Sequence, residues 1–477
     1  MSIRRLLQSP RARRGIAASA IVLSLGGLVL FRAPAGADLG GTTAVDFRNG
    51  TTFSGPGARG SLSLSHGKVL ADDRQRVFAE LRLRADQVGE DARERAPLSM
   101  VVVLDTSGSM SGEKISEARR SVIRLLSQMR HDDEVALVRY DSHAELIQPM
   151  ARVSDIRSSL IAEVHELRAG GGTNIPAALR SGISALESAS SGRVKRLVLV
   201  SDGLDDTRSE SESLARNGTD RGITVSSLGI GLDFDEAYMS SVARAGRGNF
   251  GFVENVTALA RFLERELSET ASTTIENAVA RLELPEDMSF IRAIGADVST
   301  RGSDDERIEL RLGSLFAGDE RRVVIELETD ADYGDSLSIE SEIRWSQVGG
   351  ERASIDLEDL TIVTTDDADQ VADARDPGVY GACMSALASL RQLEAAQAYA
   401  QGDTKRARRI IDQNMADLEE AAEAAPAPVA TSLSKQAASY RKTKGAFDHA
   451  APASAEGRSA AKRSTADESA NLGRQAY

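Results

Sequence analysis

Short apolar segments and amphipathic segments of helical period alternate through the middle of the chain. Four apolar segments rich in Val, Leu and Ile have the composition of strands buried on both faces. They are 99–104, 134–140, 196–201 and 224–229. Helical patterns lie at 113–130, 175–188, 210–217, 236–245 and 257–269. This alternation predicts a doubly wound, mostly parallel α/β sheet over residues 98–270. Residues 144–148 follow the preceding strand too closely for a crossover, which predicts an antiparallel edge strand.

Alternating strand patterns lie on both sides of this region. Before it, residues 60–65 and 76–84 alternate between apolar and polar positions. After it, residues 275–363 contain several alternating segments and no helical pattern. Together they predict an antiparallel β-sandwich with strands at 58–97 and 271–365, in which the α/β domain is inserted or which flanks it.

The remaining segments differ in composition. Residues 369–424 predict a C-terminal helical hairpin, with Gly402 and Asp403 as the stop and the N-cap between two long helices. Residues 425–477 are rich in Ala, Ser and basic residues and predict a disordered tail, with a short helix at 435–444 as the alternative for that part. Residues 38–57, rich in Gly, Thr and Ser, predict a flexible spacer.

Residues 1–37 have the pattern of an export segment. Several arginines precede an uncharged run from Gly15 to Phe31, and Ala35-Gly36-Ala37 offers a small-residue cleavage site before Asp38. We expect a signal peptide or, if this segment stays uncleaved, a membrane anchor. The protein is therefore predicted to be exported, as a periplasmic, envelope-anchored or secreted protein.

The net charge, the cysteine content and the absence of several sequence motifs exclude some classes of function. The formal net charge is −14, which repels a phosphate backbone, so no nucleic-acid partner is expected. Cys383 is the single cysteine of the sequence, so no intramolecular disulfide and no CxxC motif can form. The histidines show neither HExxH spacing nor a nucleophile motif, and no phosphate-binding GxxxxGK[ST] or GxGxxG follows a strand.

Carboxylate and hydroxyl side chains follow two of the buried strands. Asp105, Ser107 and Ser109 end the first, in VVVLDTSGSM, and Asp202 follows another in LVLVSDG. Thr173 lies in the glycine-rich loop AGGGTN. Each alone could be a helix cap or a turn residue. Because parallel strands end at one rim, these five side chains together predict a metal site, and hard oxygen ligands suit Mg²⁺.

The same five residues resemble the metal-ion-dependent adhesion site of von Willebrand factor type A domains, which is written DxSxS, then Thr, then Asp. The resemblance implies a Rossmann-like fold and an ion, Mg²⁺ with Mn²⁺ or Ca²⁺ as alternatives, bound directly by Ser107 and Ser109. It implies that Thr173 binds directly or through water, and that Asp105 and Asp202 act largely through water. The whole arrangement is similar to exported bacterial type A domain proteins and, more loosely, to inter-alpha-trypsin inhibitor heavy chains.

Three functions follow from these features. The first is an exported adhesion or scaffolding module in which the ion bridges to an exposed Asp or Glu of a protein partner. The second is a metal-assisted hydrolase, which needs a general base that the motif does not supply. The third is a scaffold with a purely structural metal. We expect the first function. The protein is then not an enzyme, and it contacts a membrane only through the N-terminal segment if that segment stays uncleaved.

Overall fold

The computed structural model describes residues 49–87, 96–202, 205–253, 257–301 and 307–474. It has an α/β domain, an antiparallel sandwich and a C-terminal helical region, so the predicted fold class is confirmed. The predicted export segment lies outside the described residues. Within the described ranges, no helix has the length and apolar content needed to cross a membrane.

Four strands precede the α/β domain. They are β1 (Gly50–Gly55), β2 (Ala58–Leu64), β3 (Lys68–Leu70) and β4 (Gln75–Ala85). Strand β1 lies inside the segment predicted to be a spacer, so that prediction is wrong for residues 50–55. The strand pairs antiparallel with β2, and Phe53 is buried with its ring centroid 6.2 Å from that of Trp345. One buried aromatic among Gly, Thr and Ser gives too weak an alternation to reveal a strand in the sequence.

In its described residues, the α/β domain contains six strands and six α-helices. The strands are β5 (Leu98–Asp105), β6 (Glu134–Tyr140), β7 (Ala144–Arg152), β8 (Val194–Ser201), β9 (Ile223–Ile230) and β10 (Arg247–Val253). The helices are α1 (Glu113–Gln128), α2 (Val153–Glu166), α3 (Ile175–Glu187), α4 (Arg208–Thr219), α5 (Glu236–Ala245) and α6 (Thr257–Ala271). Strand order is β10-β9-β8-β5-β6-β7, and β7 is the antiparallel edge strand. Helix α2 and the glycine-interrupted strand β10 were not predicted.

The sandwich continues after the α/β domain. Its strands are β11 (Thr273–Glu283), β12 (Met288–Ile294), β13 (Asp297–Arg301), β14 (Arg307–Phe316), β15 (Glu320–Thr329), β16 (Ser336–Gln347), β17 (Arg352–Asp356) and β18 (Leu360–Thr365). One sheet has the order β1-β2-β4-β15-β12, and the other β13-β14-β11-β16-β18-β3, with β17 paired to β16. Strands from before the α/β domain belong to both sheets. The α/β domain is therefore inserted in one discontinuous sandwich.

Five helices end the described chain. They are α7 (Ala368–Asp373), α8 (Pro377–Ala400), α9 (Thr404–Ala424), α10 (Ala427–His449) and α11 (Ala455–Arg474). Gly402 has φ +88° and Asp403 caps α9 by accepting from the Arg406 N–H. The predicted disordered tail is wrong: α10, which includes the short helix allowed at 435–444, packs on α8 and α9, and α11 packs on α8. Composition pointed to disorder because α11 has few large apolar residues, yet small side chains permit close packing.

Helix α11 contacts three hydrophobic cores. Ala461 belongs to the core of the C-terminal helices, Ala466 packs against the α/β core, and Leu472 joins a cluster between α8 and the sandwich. Lys462 is buried and donates to the Phe234 carbonyl (2.6 Å) and to Glu236 Oε2 (2.6 Å) in the α/β domain. Helix α11 thus packs against the α/β domain, the sandwich and the other C-terminal helices.

Glu468 of α11 predicts a pH-dependent stability. Burial raises its pKa to about 7, although Oε2 accepts from the Tyr440 hydroxyl (3.1 Å) and from Asn471 (3.3 Å). The folded state therefore holds the proton more tightly than the unfolded chain. The associated stability is complete below the ordinary glutamate pKa, and it declines as the pH rises toward 7.

Replacing Glu468→Gln should remove this decline, because the amide stays neutral. In urea unfolding, we expect the variant to gain about 2–3 kcal/mol relative to wild type between pH 5 and pH 8. Glu456→Gln, at an exposed position of the same helix, is the control. Equal pH dependence in Glu468→Gln and wild type would contradict the assignment.

Candidate functional site

Asp105 connects the ends of the central strands β5 and β8 through hydrogen bonds. It is the last residue of β5, and its side chain is buried. Oδ1 accepts from the Ser107 N–H (2.8 Å), and Oδ2 accepts from the hydroxyl of Ser201 at the end of β8 (2.8 Å). Burial raises the pKa of Asp105, the hydrogen bonds from Ser107 and Ser201 lower it, and the charge of Asp202 raises it further. Both oxygens are thus committed to protein donors.

The serine hydroxyls and Asp202 form a continuous chain of oxygens. Ser107 Oγ lies 3.0 Å from Ser109 Oγ, and Ser109 Oγ donates to Asp202 Oδ1 at 2.7 Å. Asp202, directly after β8, is buried. The turn Gly108–Met110 after Asp105 folds this segment back toward β8. The rim therefore places Ser109 within hydrogen-bonding distance of two other predicted ligands, Ser107 and Asp202.

The loop that carries Thr173 is held against the first loop. Gly170 N–H donates to the Thr106 carbonyl (2.7 Å), and Gly108 N–H donates to the Gly171 carbonyl (3.0 Å). Gly171 has φ +83°, a backbone conformation that favours glycine. These contacts place half-buried Thr173 at the same rim, just before α3 begins.

The donor set fits a small hard cation. Adjacent ligands of an octahedral ion with bonds near 2.1 Å lie roughly 3 Å apart, which matches the spacing of the Ser107, Ser109 and Asp202 oxygens. In the described part of the chain, no group of three or more His, Cys, Asp or Glu could hold a metal. A site here would therefore rely on hydroxyls together with the two aspartates.

Sequence reasoning missed several residues around the rim. Lys114, in the first turn of α1, forms an ion pair with Asp202 Oδ2. Asp205 accepts from the Ile175 N–H (2.8 Å) and so fixes the loop after β8 to the start of α3. Tyr140, at the end of β6, is buried, and burial raises its pKa well above the usual value. Lys114 follows the DxSxS motif closely, but only the fold shows that it reaches Asp202.

One histidine, His66, lies in the sandwich rather than at the rim. His66 is buried in the sandwich, where Nδ1 lies 2.8 Å from Ser65 Oγ and Nε2 accepts from Arg375 (3.2 Å). Burial, followed by the nearby Arg375 charge, lowers the pKa of His66 to about 4. It is a neutral structural residue at physiological pH.

Comparison with known protein families identifies the inserted domain. Residues 99–265 match the model of the von Willebrand factor type A domain. The chain contains a type A domain. The match runs from the first strand of the inserted domain into its last helix, and it includes all five predicted ligands.

Two relatives and one solved structure extend this result. An uncharacterized protein of Synechocystis sp. is 24% identical over 262 residues, which cover 53% of this chain and 62% of that protein. Inter-alpha-trypsin inhibitor heavy chain H4 of Bos taurus is 27% identical over 171 residues, 33% of this chain and 19% of the heavy chain. The chain thus spans less than two thirds of either relative. A von Willebrand factor type A structure from Catenulispora acidiphila superposes with a TM-score of 0.64 at 17% identity, over 83% of this chain and 91% of that chain.

These comparisons bear on the type A domain and on the fold. Type A domains often mediate protein interactions and adhesion, and they often bind a divalent metal. The solved structure covers most of both chains, so it supports the fold outside the type A domain as well.

The bracing role of Asp105 in the type A domain predicts a stability effect. Ser201→Ala removes the donor to Asp105 Oδ2, and a buried carboxylate that loses a hydrogen bond costs about 1–3 kcal/mol. We expect a loss of that size in urea unfolding. Ser209→Ala, at an exposed position of α4, should change little; if the two variants lose equal stability, the bracing interpretation fails.

Proposed function

We propose that the chain is an exported, non-enzymatic binding protein whose type A domain uses Mg²⁺ to bind an exposed Asp or Glu of a protein partner. The observation that carries this proposal is the chain of oxygens from Ser107 through Ser109 to Asp202, with neighbouring atoms 3.0 and 2.7 Å apart. Mn²⁺ and Ca²⁺ offer similar preferences for oxygen ligands. The net charge of −14 argues against a nucleic-acid partner.

The two aspartates are held by contacts within the protein, so they would neutralise the charge of an ion only in part. Asp105 is committed to Ser107 and Ser201, while Asp202 accepts from Ser109 and pairs with Lys114. The groups offered to an ion are then mainly the neutral hydroxyls of Ser107, Ser109 and Thr173. A cation held in this way keeps most of its charge and attracts a carboxylate from another molecule. This favours a metal-bridged protein contact.

The hydrolase alternative requires a carboxylate or histidine that can accept a proton from water. The oxygens of Asp105 and Asp202 have hydrogen-bond or ion-pair partners within the protein. These contacts favour binding over hydrolysis.

Direct measurement of metal binding tests the proposed ligands. Asp105→Ala or Ser107→Ala should abolish Mg²⁺ binding in titration calorimetry. Asp105→Ala removes the hydrogen bonds that hold the ends of β5 and β8 together, and Ser107→Ala removes a direct ligand. Ser111→Ala, two residues beyond the motif, is the control. Unchanged Mg²⁺ binding in both ligand variants would overturn the assignment.

Partner binding supplies the corresponding test of function. Proteins captured from envelope extract should be released by EDTA and rebound with Mg²⁺, and Thr173→Ala should weaken partner binding more than metal binding. The reason is that Thr173 is the ligand expected to change between water-mediated and direct contact when a partner carboxylate binds. Full-strength binding of a captured partner in EDTA, measured by surface plasmon resonance, would exclude the metal-bridged contact.

Export is supported by the arginines, the apolar run and the Ala35-Gly36-Ala37 sequence near the N-terminus. A reporter fused to the C-terminus should be active only outside the cytoplasm, and N-terminal sequencing that begins at Asp38 would indicate cleavage rather than anchoring. Reporter activity confined to the cytoplasm would contradict export.

A further inference from the structure

Lys114 places a positive charge on a proposed metal ligand. It lies in the first turn of α1, and its ammonium group forms an ion pair with Asp202 Oδ2. The Asp202 side chain is 0% exposed, and that of Lys114 is 27% exposed. A buried carboxylate therefore has one cationic partner supplied by the protein, and this partner remains in reach of water.

The loop after β9 lies close to the Lys114 side chain. Gly231 has φ +78°, and a Cβ added there would lie 3.5 Å from Lys114 Nζ and 3.6 Å from Cε. Further along this loop, the Phe234 carbonyl accepts from buried Lys462 of α11 at 2.6 Å. The position of Lys114 is thus bounded by a loop that α11 helps to hold in place.

The charges at the rim indicate the effect of the ion pair between Lys114 and Asp202. Asp105 and Asp202 are both buried there, at the ends of the adjacent parallel strands β5 and β8. The Lys114 ammonium offsets one of these two negative charges. A divalent cation beside Asp202 gains from the same carboxylate but is repelled by the ammonium.

We propose that Lys114 is a resident cation of the site, which compensates Asp202 and competes with the divalent ion for that carboxylate. This inference rests on the proposed metal site and adds a residue that sets its affinity. Lys114 is a positioning and affinity-setting residue, since it acts on the ion through Asp202. It permits the rim to fold without an ion, at the expense of weaker ion binding.

Removal of the Lys114 charge should lower the stability of the ion-free protein and raise its affinity for Mg²⁺. Lys114→Met keeps a long apolar stem but leaves Asp202 without its cation, so the variant should melt at a lower temperature than wild type in EDTA. Removal of the repulsive charge should tighten Mg²⁺ binding by about tenfold or more. Saturating Mg²⁺ should then narrow the difference in melting temperature, because a ligand stabilises the folded state according to its affinity.

The experiment measures both quantities on the full chain, with Mg²⁺ alone as the probe. Titration calorimetry gives the affinity, and thermal melts are recorded in EDTA and at several Mg²⁺ concentrations. Arg120→Met is the matched control, since it removes one positive charge from the same helix at a residue that pairs with Glu117 on the surface. It should change neither the affinity nor the response of the melting temperature to Mg²⁺.

A second variant keeps the test decisive if Lys114→Met does not fold in EDTA. The double change Lys114→Met with Asp202→Asn removes both charges, so it should fold without an ion and show a smaller response to Mg²⁺ than Lys114→Met alone. A double variant that melts as low in EDTA as Lys114→Met would overturn charge compensation as the role of Lys114.

The outcomes separate this inference from the proposed function. Wild-type binding with tighter binding in Lys114→Met supports both. Wild-type binding with equal or weaker binding in Lys114→Met overturns the competition and leaves the metal site standing. Binding only in Lys114→Met supports the competition but overturns the metal-bridged function of the natural protein. Absence of binding in both overturns the metal site and this inference with it.

Discussion

The pairing of β4 with β15 is the contact on which the architecture depends. Ten residue pairs, from Gln75 with Thr329 to Arg84 with Glu320, join a strand before the type A domain to one after it. Across this pairing, Arg322 forms a buried ion pair with Glu80 at 2.8 Å. The type A domain is therefore connected at both ends to one sandwich. Its insertion follows from the fact that neither set of strands completes the sheets without the other.

The same pairing creates the surface on which the C-terminal helices pack. Phe78 of β4 and Val324 of β15 form a cluster with Cys383 of α8 and Leu472 of α11. From there α11 extends to the type A domain, where Lys462 lies 4.1 Å from the centroid of the Phe234 ring. The helices thus cover one face of the sandwich and hold a loop near the proposed metal site.

At the rim, electrostatics and strand geometry act together. Parallel strands β5 and β8 end side by side, which puts Asp105 and Asp202 close enough for the charge of one to raise the pKa of the other. Hydrogen bonds from Ser107 and Ser201 stabilise the first carboxylate, and Lys114 stabilises the second. The rim is consequently ordered by hydrogen bonds and an ion pair within the protein.

The local sequence determined those features that depend on short-range pattern. Continuous apolar runs predicted the buried strands β5, β6, β8 and β9, since a strand buried on both faces needs no polar alternation. The spacing of the DxSxS motif at a strand end predicted ligands on one loop. The order of strands and helices then predicted that Thr173 and Asp202 would lie at the same rim. In the structure, the glycine loop before Thr173 is bonded to the DxSxS loop, and Ser109 of that loop donates to Asp202.

Only the tertiary structure decided the contacts between distant segments. Strand β1 and helix α11 have weak local patterns of apolar and polar residues. Strand β1 is held in place by Phe53, which packs against Trp345. Helix α11 is held by Lys462, which donates to the Phe234 carbonyl and to Glu236. Lys114 reaches Asp202 across 88 residues of sequence. Periodicity specifies which face of an element is apolar, but it does not specify which distant element covers that face or pairs with its charges, because those partners are set by packing of the whole chain.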